Sequence, residues 1–205
     1  MIHRIFIHGL ESSNQGTKAV FFRDKYPDMI LPDFEGPLTE RMEKLNRILS
    51  GKSEIRIVGS SFGGLMAALF AMENPSQVRR MILLAPATNM IESAPGKKEK
   101  VPIPVFIYHG TEDTVIPLSE VQTMAGRFFT DLSFNVVDDD HFLHKTFKAL
   151  DWDALLACTG ICFSFDVGCC TFPADRGIHV RLFDMRRVPV YLTAHAPDDP
   201  HLPGP

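Results

Sequence analysis

Two absences divide this 205-residue chain. Lysine and glutamate, nine and ten in number, do not occur after residue 150, and cysteine does not occur before Cys158. The four cysteines, Cys158, Cys162, Cys169 and Cys170, and six prolines from Pro173 to Pro205 crowd the last part instead. Segments so different in composition do not read as one domain. Residues 1–157 are expected to be the folded unit, and 158–205 an atypical Cys- then Pro-rich tail with poor order. Other absences exclude functions. No apolar run reaches the ~18 residues of a membrane span. A net charge of −4 and a pI near 6.0 leave no basic footprint for nucleic acid. The start, "MIHRIFIHGL", is too short and too interrupted for a signal peptide and reads as a strand. A cytoplasmic protein with no membrane and no nucleic-acid partner is expected.

What the first 157 residues do contain is an alternation of two patterns. "RIFIHG", "DMILPDF", "EIRIVGS", "RRMILLAPA", "PVFIYHG" and "LSFNVVD" read as short apolar strands. Helical stretches separate them. "NQGTKAVFFRDKYP" turns Ala19, Phe22 and Tyr26 inward. "PLTERMEKLNRILSG" carries the stripe Leu38, Met42, Leu45, Leu49, with Pro37 in its first turn and Gly51 at its end. "LMAALFAMENP" stops at Asn74-Pro75, "PLSEVQTMAGRFF" follows the fifth strand, and "HFLHKTFKALDWDALL" is a closing helix. The expected class is α/β: a three-layer α/β/α sandwich on a mostly parallel sheet of about six strands. Ligands of such sheets bind beyond the carboxyl ends of the strands.

One of those ends carries "VGSSFGG", residues 58–64. No lysine follows the glycines, which excludes a P-loop, and the spacing does not give a dinucleotide fingerprint. It does give G-x-S-x-G, the elbow that lifts a serine out above the sheet on a strained strand-to-helix turn. Small residues are needed two before and two after that serine. Ser61 meets this with Gly59 and Gly63, whereas Ser60 would be flanked by Val58 and Phe62. Ser61 is the candidate nucleophile and Ser60 a small turn residue.

A serine needs a base to take its proton and a third group to orient that base. "YHGTEDTVIP" offers Asp113, favoured because it heads the segment leading into the next helix, with Glu112 as competitor. "VVDDDHFLHK" offers His141 directly after a strand, and His144 one turn later, pointing away. Asp138, Asp139 and Asp140 compete as the orienting acid. For an oxyanion hole, Phe62 follows the nucleophile, and "HGLESS" supplies Leu10 next to Gly9, whose bareness lets the backbone come close. His8 is expected to prop this loop, and Glu11 to be solvated.

Together, "FIHGLESS", "IVGSSFGG", "ILLAPA", "YHGTEDTVIP" and "DDDHFL" resemble the α/β-hydrolase superfamily, and within it small bacterial esterase-like serine hydrolases with a minimal lid. The resemblance covers about residues 3–157. It implies Ser61, Asp113 and His141 as nucleophile, acid and base, and a two-step acyl transfer without metal or organic cofactor. Larger members begin with further antiparallel strands and insert a cap where this chain has only "TNMIESAPGKKEKVP". The site should therefore be shallow and open, suited to small esters, thioesters or exposed acyl groups. Phe62, Leu10, Met90 and Ile91 are expected to form an apolar rim. Lys97, Lys98 and Lys100 read as a solvated charge run beside the rarer role of steering an anionic substrate. A non-catalytic hydrolase-like binder of a small molecule or protein, and an acyltransferase, are the rival readings. The natural acyl substrate and the oligomeric state stay open.

The cysteine spacing of the tail, C-x3-C-x6-C-C, matches no common zinc arrangement, and His179 and His195 are not expected to be ligands. Its lack of lysine and glutamate suggests an extension read past the natural end or out of frame.

Overall fold

The structure is a computed structural model that describes residues 1–96 and 98–157, and the backbone of 179–183. Its elements run β1 (His3–Ile7), α1 (Thr17–Lys25), α2 (Leu38–Leu49), β2 (Ile55–Ser60), α3 (Phe62–Glu73), β3 (Val78–Leu84), β4 (Val101–Gly110), α4 (Leu118–Phe128), β5 (Phe129–Val137), α5 (Thr146–Ala149), α6 (Trp152–Leu156) and β6 (His179–Phe183). The strands lie side by side in the order β1 to β6, every neighbouring pair parallel.

Both faces of the sheet are covered, which is why its strands are apolar throughout rather than alternating. Successive strand residues point to opposite sides. Ile5, Ile57, Met81 and Leu83 enter one core with Leu45 and Leu49 of α2, the apolar length of α3, and Val121 and Ala125 of α4. Phe6, Val58, Ile82 and Leu84 enter the other with Phe22 of α1, Phe147 of α5 and Trp152 of α6. In that second core Trp152 meets Phe22 edge-on, ring centroids 4.8 Å apart. Its indole N–H donates to the Phe147 carbonyl at 2.8 Å, so its one polar atom is satisfied.

The path of the chain creates the crevice. From β1 it passes through α1 to Ile30, which bridges Ile5 on the outer edge of the sheet. It then returns through α2 to β2, on the other side of β1. The loops leaving β1 and β2 thus run to helices on opposite faces, and a cleft opens between their carboxyl ends, a topological switch point.

Three expectations change. "DMILPDF" is no strand: only Ile30 pairs, exchanging bonds with Arg4 (2.8 Å) and Phe6 (3.1 Å), because Pro32 has no N–H to extend the ladder. The sheet reaches six strands instead through 179–183, a segment of the expected tail, whose backbone pairs with β5. The closing helix is broken in two, because Asp151 caps a new start and accepts the Ala154 N–H at 3.0 Å. The four cysteines and His195 lie outside the described residues.

Candidate active site

At the end of β2 the backbone makes a corner that most residues avoid. Ser61 has φ 52° and ψ −117°, in the positive-φ region where a Cβ is strained. Its N–H donates to the Leu84 carbonyl at 2.9 Å, and its own carbonyl accepts from Gly64 (2.8 Å) and Ala87 (3.0 Å). The flanking glycines are there for space. A Cβ on Gly59 would lie 2.6 Å from the Gly63 carbonyl oxygen, and one on Gly63 would overlap the carbonyls of Ile7 and His8.

The loops after β4 and β5 meet this corner. His141 Nε2 stands 3.1 Å from Ser61 Oγ, and His141 Nδ1 stands 2.7 Å from Asp113 Oδ2. The carboxylate needs a donor at Nδ1. Nε2 is then the acceptor for the serine hydroxyl. Asp113 Oδ1 accepts two backbone amides, Val115 and Ile116, both at 2.8 Å. The Asp113 carboxylate is fully buried and the His141 ring 11 % exposed, so the pair sits largely away from water.

The competing acids are placed elsewhere. Glu112 is exposed. Asp139 is buried and ties its own loop, accepting from Asp140 N (2.9 Å), Lys145 N (3.0 Å) and Thr146 N (2.7 Å). Asp140 faces His144 at 2.7 Å on the surface. Asp138 is exposed, 3.9 Å from Lys145 Nζ, so Asp139 is the aspartate that shapes the histidine loop.

On the β1 side, His8 is buried. Its Nε2 accepts the Phe34 N–H at 2.9 Å, which puts the proton on Nδ1, and Nδ1 donates to the Gly9 carbonyl at 2.7 Å. Asp33 Oδ1 is also 3.0 Å from Nε2, but the Phe34 amide already occupies that lone pair. A trans peptide points its C=O and N–H in opposite directions, so holding the Gly9 oxygen on one side directs the Leu10 N–H to the other. The Leu10 amide has no acceptor among the described residues. The Phe62 amide is one of the first-turn donors that a helix leaves without an intrahelical partner.

The rim differs from expectation. Leu10 and Met90 are 52 % and 41 % exposed, but Ile91 is fully buried in the core, because it follows the 3₁₀ turn Thr88–Met90 inward. Val115 and Phe142 are exposed apolar residues, 62 % and 59 %, that were not expected. Both are near neighbours in sequence of Asp113 and His141, which was the available signal. Lys98 and Lys100 line a separate surface pocket with Glu92, Arg127 and Phe128; Lys97 lies outside the described residues.

Three residues escaped the sequence reading. Gly110, which ends β4, admits no Cβ because the Asp139 carbonyl presses on it. His109 is buried with Nε2 3.0 Å from the Ile116 carbonyl and 3.3 Å from Asp113 Oδ2. Burial pushes its pKa below the usual histidine value, keeping it a neutral brace under the acid loop. Arg41, in α2, is buried beside Leu10 and Phe62.

The family model described as Phospholipase/Carboxylesterase matches residues 28–146, more than half of the chain. The chain belongs to the phospholipase/carboxylesterase family of α/β hydrolases. The match to that family spans Ser61, Asp113 and His141, and leaves out the loop of His8 to Leu10.

Solved structures share the fold. The carboxylesterase of Bacillus cereus is 16% identical, TM-score 0.59, over 76% of this chain and 89% of its own. Est1E from Butyrivibrio proteoclasticus is 16% identical, TM-score 0.60, over 72% and 83%. Mouse alpha/beta hydrolase domain-containing protein 10 is 17% identical, TM-score 0.59, over 72% and 85%. No curated protein matches the sequence. Among the described residues no group of three or more His, Cys, Asp or Glu is set to hold a metal, and no helix is long and apolar enough to cross a membrane.

Proposed function

We propose that this chain is a serine hydrolase of small carboxylic esters or thioesters. Ser61 is the nucleophile, His141 the general base and then acid, Asp113 the group that orients His141, and the Leu10 and Phe62 amides the oxyanion hole. The observation that carries this reading is the unbroken chain of hydrogen bonds from Asp113 through His141 to Ser61 Oγ, 2.7 and 3.1 Å, at a serine held at φ 52°.

In the first step Ser61 Oγ bonds to the acyl carbon while His141 Nε2 takes its proton. The carbonyl oxygen becomes an anion held by the two amides. The intermediate collapses, His141 returns the proton to the leaving alcohol or thiol, and the acyl group stays on Ser61. Water, deprotonated by the same nitrogen, then releases the acid. General acid–base help is worth roughly 10²–10⁴-fold, and one oxyanion donor roughly 10²–10³-fold. Between β3 and β4 the described chain forms only the turn at Thr88–Met90. With no cap over the serine among the described residues, small acyl groups fit better than long chains in a tunnel.

The test is a fluorophosphonate probe and a series of p-nitrophenyl esters of rising chain length, with Ser61→Ala as control. Covalent labelling of Ser61 and highest turnover on short esters are expected. A Ser61→Ala protein as active as wild type would overturn the reading.

A further inference from the structure

The stripe of α2 gives no reason to bury its fourth residue, yet Arg41 is only 4 % exposed. A buried guanidinium must find acceptors for its five N–H groups. Arg41 Nε donates to the Gly36 carbonyl at 2.8 Å, and Nη2 to the Leu10 carbonyl at 3.4 Å. Nη1 is buried without an acceptor among the described residues. Asp33 and Glu35 act on the charge from a distance, and burial pulls the pKa below arginine's usual value. The guanidinium carbon also lies 5.6 Å from the centroid of the Phe62 ring. One side chain therefore touches both residues whose amides the proposed function assigns to the oxyanion.

An incompletely satisfied buried charge costs stability, and an apolar side chain of the same volume is usually as good or better for folding. The bond to Gly36 anchors Arg41 at the start of its own helix, and its other two contacts are at the β1 loop and the elbow. We infer that Arg41 is a positioning residue that clamps the two halves of the oxyanion hole together; this rests on Ser61 being the nucleophile.

The clamp follows from the peptide planes around Leu10. The plane before it, Gly9 C=O with Leu10 N–H, is held by His8 at the Gly9 oxygen. The plane after it is held by Arg41 at the Leu10 oxygen. With a carbonyl tied on each side, the Leu10 N–H cannot swing. The same guanidinium, lying over the Phe62 ring, keeps that residue against the loop. Neither half is covalently near the other. The first follows β1, the second opens α3, and α2 is the element that reaches both.

The test uses the full chain with Arg41→Met and Arg41→Lys. Readouts are kcat and KM on p-nitrophenyl acetate and Ki for a trifluoromethyl ketone, which adds to Ser61 as a tetrahedral oxyanion. Arg41→Met should lower kcat about 10- to 100-fold, leave KM within about threefold, and raise Ki in step with the loss of kcat. A purely structural role would lower the melting temperature without moving Ki and kcat together. Arg41→Lys keeps the charge but cannot reach both carbonyls, and should fall between wild type and Arg41→Met. Both variants within about twofold of wild type in kcat and Ki, or a loss confined to KM, would overturn the clamp. If Arg41→Met does not fold, Arg41→Lys decides by the same twofold line. An active, labelled wild type with indifferent variants sinks the clamp alone. A wild type that neither labels nor hydrolyses sinks the Ser61 reading and the clamp with it.

Discussion

The two sides of Ser61 are built differently. On the β4–β5 side the polar groups are held mainly by their own loops. Asp113 takes the amides of residues two and three places on, Val115 and Ile116, and Asp139 takes those of Asp140, Lys145 and Thr146. On the β1 side the fastenings are long-range: His8 to Phe34, Asn14 to Asp33, Arg41 to Leu10. Short carboxylates that bond the next few amides form wherever the chain turns, whatever surrounds them. A histidine or arginine that reaches across the molecule works only once the layers have assembled. The side that carries Asp113 and His141 is thus nearly self-supporting, while the β1 side depends on where α1 and α2 pack.

Asp113→Asn strikes the self-supporting side and should have the largest effect. The amide is close to isosteric and leaves the loop intact, but it no longer fixes the His141 tautomer. A fall in kcat of about 10⁴-fold, with little change in melting temperature, is expected; steady-state kinetics beside a thermal melt checks it.

Gly63→Ala strikes the other side through packing. Its methyl would drive the elbow against the Ile7 and His8 carbonyls, and a loss of about 3 kcal/mol in a urea titration is expected. A loss as small as that of an exposed helix substitution would mean that β1 and the elbow can separate cheaply.

His109→Gln sharpens the comparison through pH. The folded pKa of His109 is depressed by burial, so below about pH 6.5 the unfolded chain binds a proton that the folded chain refuses. Its share of stability is present above that pH and is lost as pH falls, by at most one proton, about 1.4 kcal/mol per pH unit. Urea midpoints at pH 7.5 and 5.5 should differ less in His109→Gln than in wild type. Equal pH slopes in the two proteins would mean that His109 is as free to protonate folded as unfolded.

The smallest effect is expected far from both sides. Arg79 pairs with Glu54 at 2.5 Å on the surface, where solvent screens the charges. Arg79→Ala should leave both the melting temperature and kcat at wild-type values within error.

Much of this could be read from residues alone where the physics is local. The glycines at 59 and 63 report that backbone passes close by, and that singles out Ser61 over Ser60. The apolar runs report strands covered on both faces. Reading failed where neighbours in space are not neighbours in sequence. Ile91 was expected in the rim beside Met90, but the 3₁₀ turn that ends at Met90 sends it into the core. "DMILPDF" has a strand's composition, yet whether it pairs depends on what lies beside β1. Glu112 and Asp113 are adjacent acids, and the sequence favoured Asp113 only for heading the segment into the next helix; the fold buries its carboxylate against His141 and exposes Glu112.

The sequence by itself determined the element types, the parallel layered architecture and the corner at Ser61, because periodicity, β-branching and the bareness of glycine act over a few residues. Only the tertiary structure decided which acid meets His141, that Ile91 turns into the core, and that an arginine lies buried against the β1 loop. Those outcomes depend on strand order and on how α2 seats against the sheet, and the summed burial of the whole core sets both.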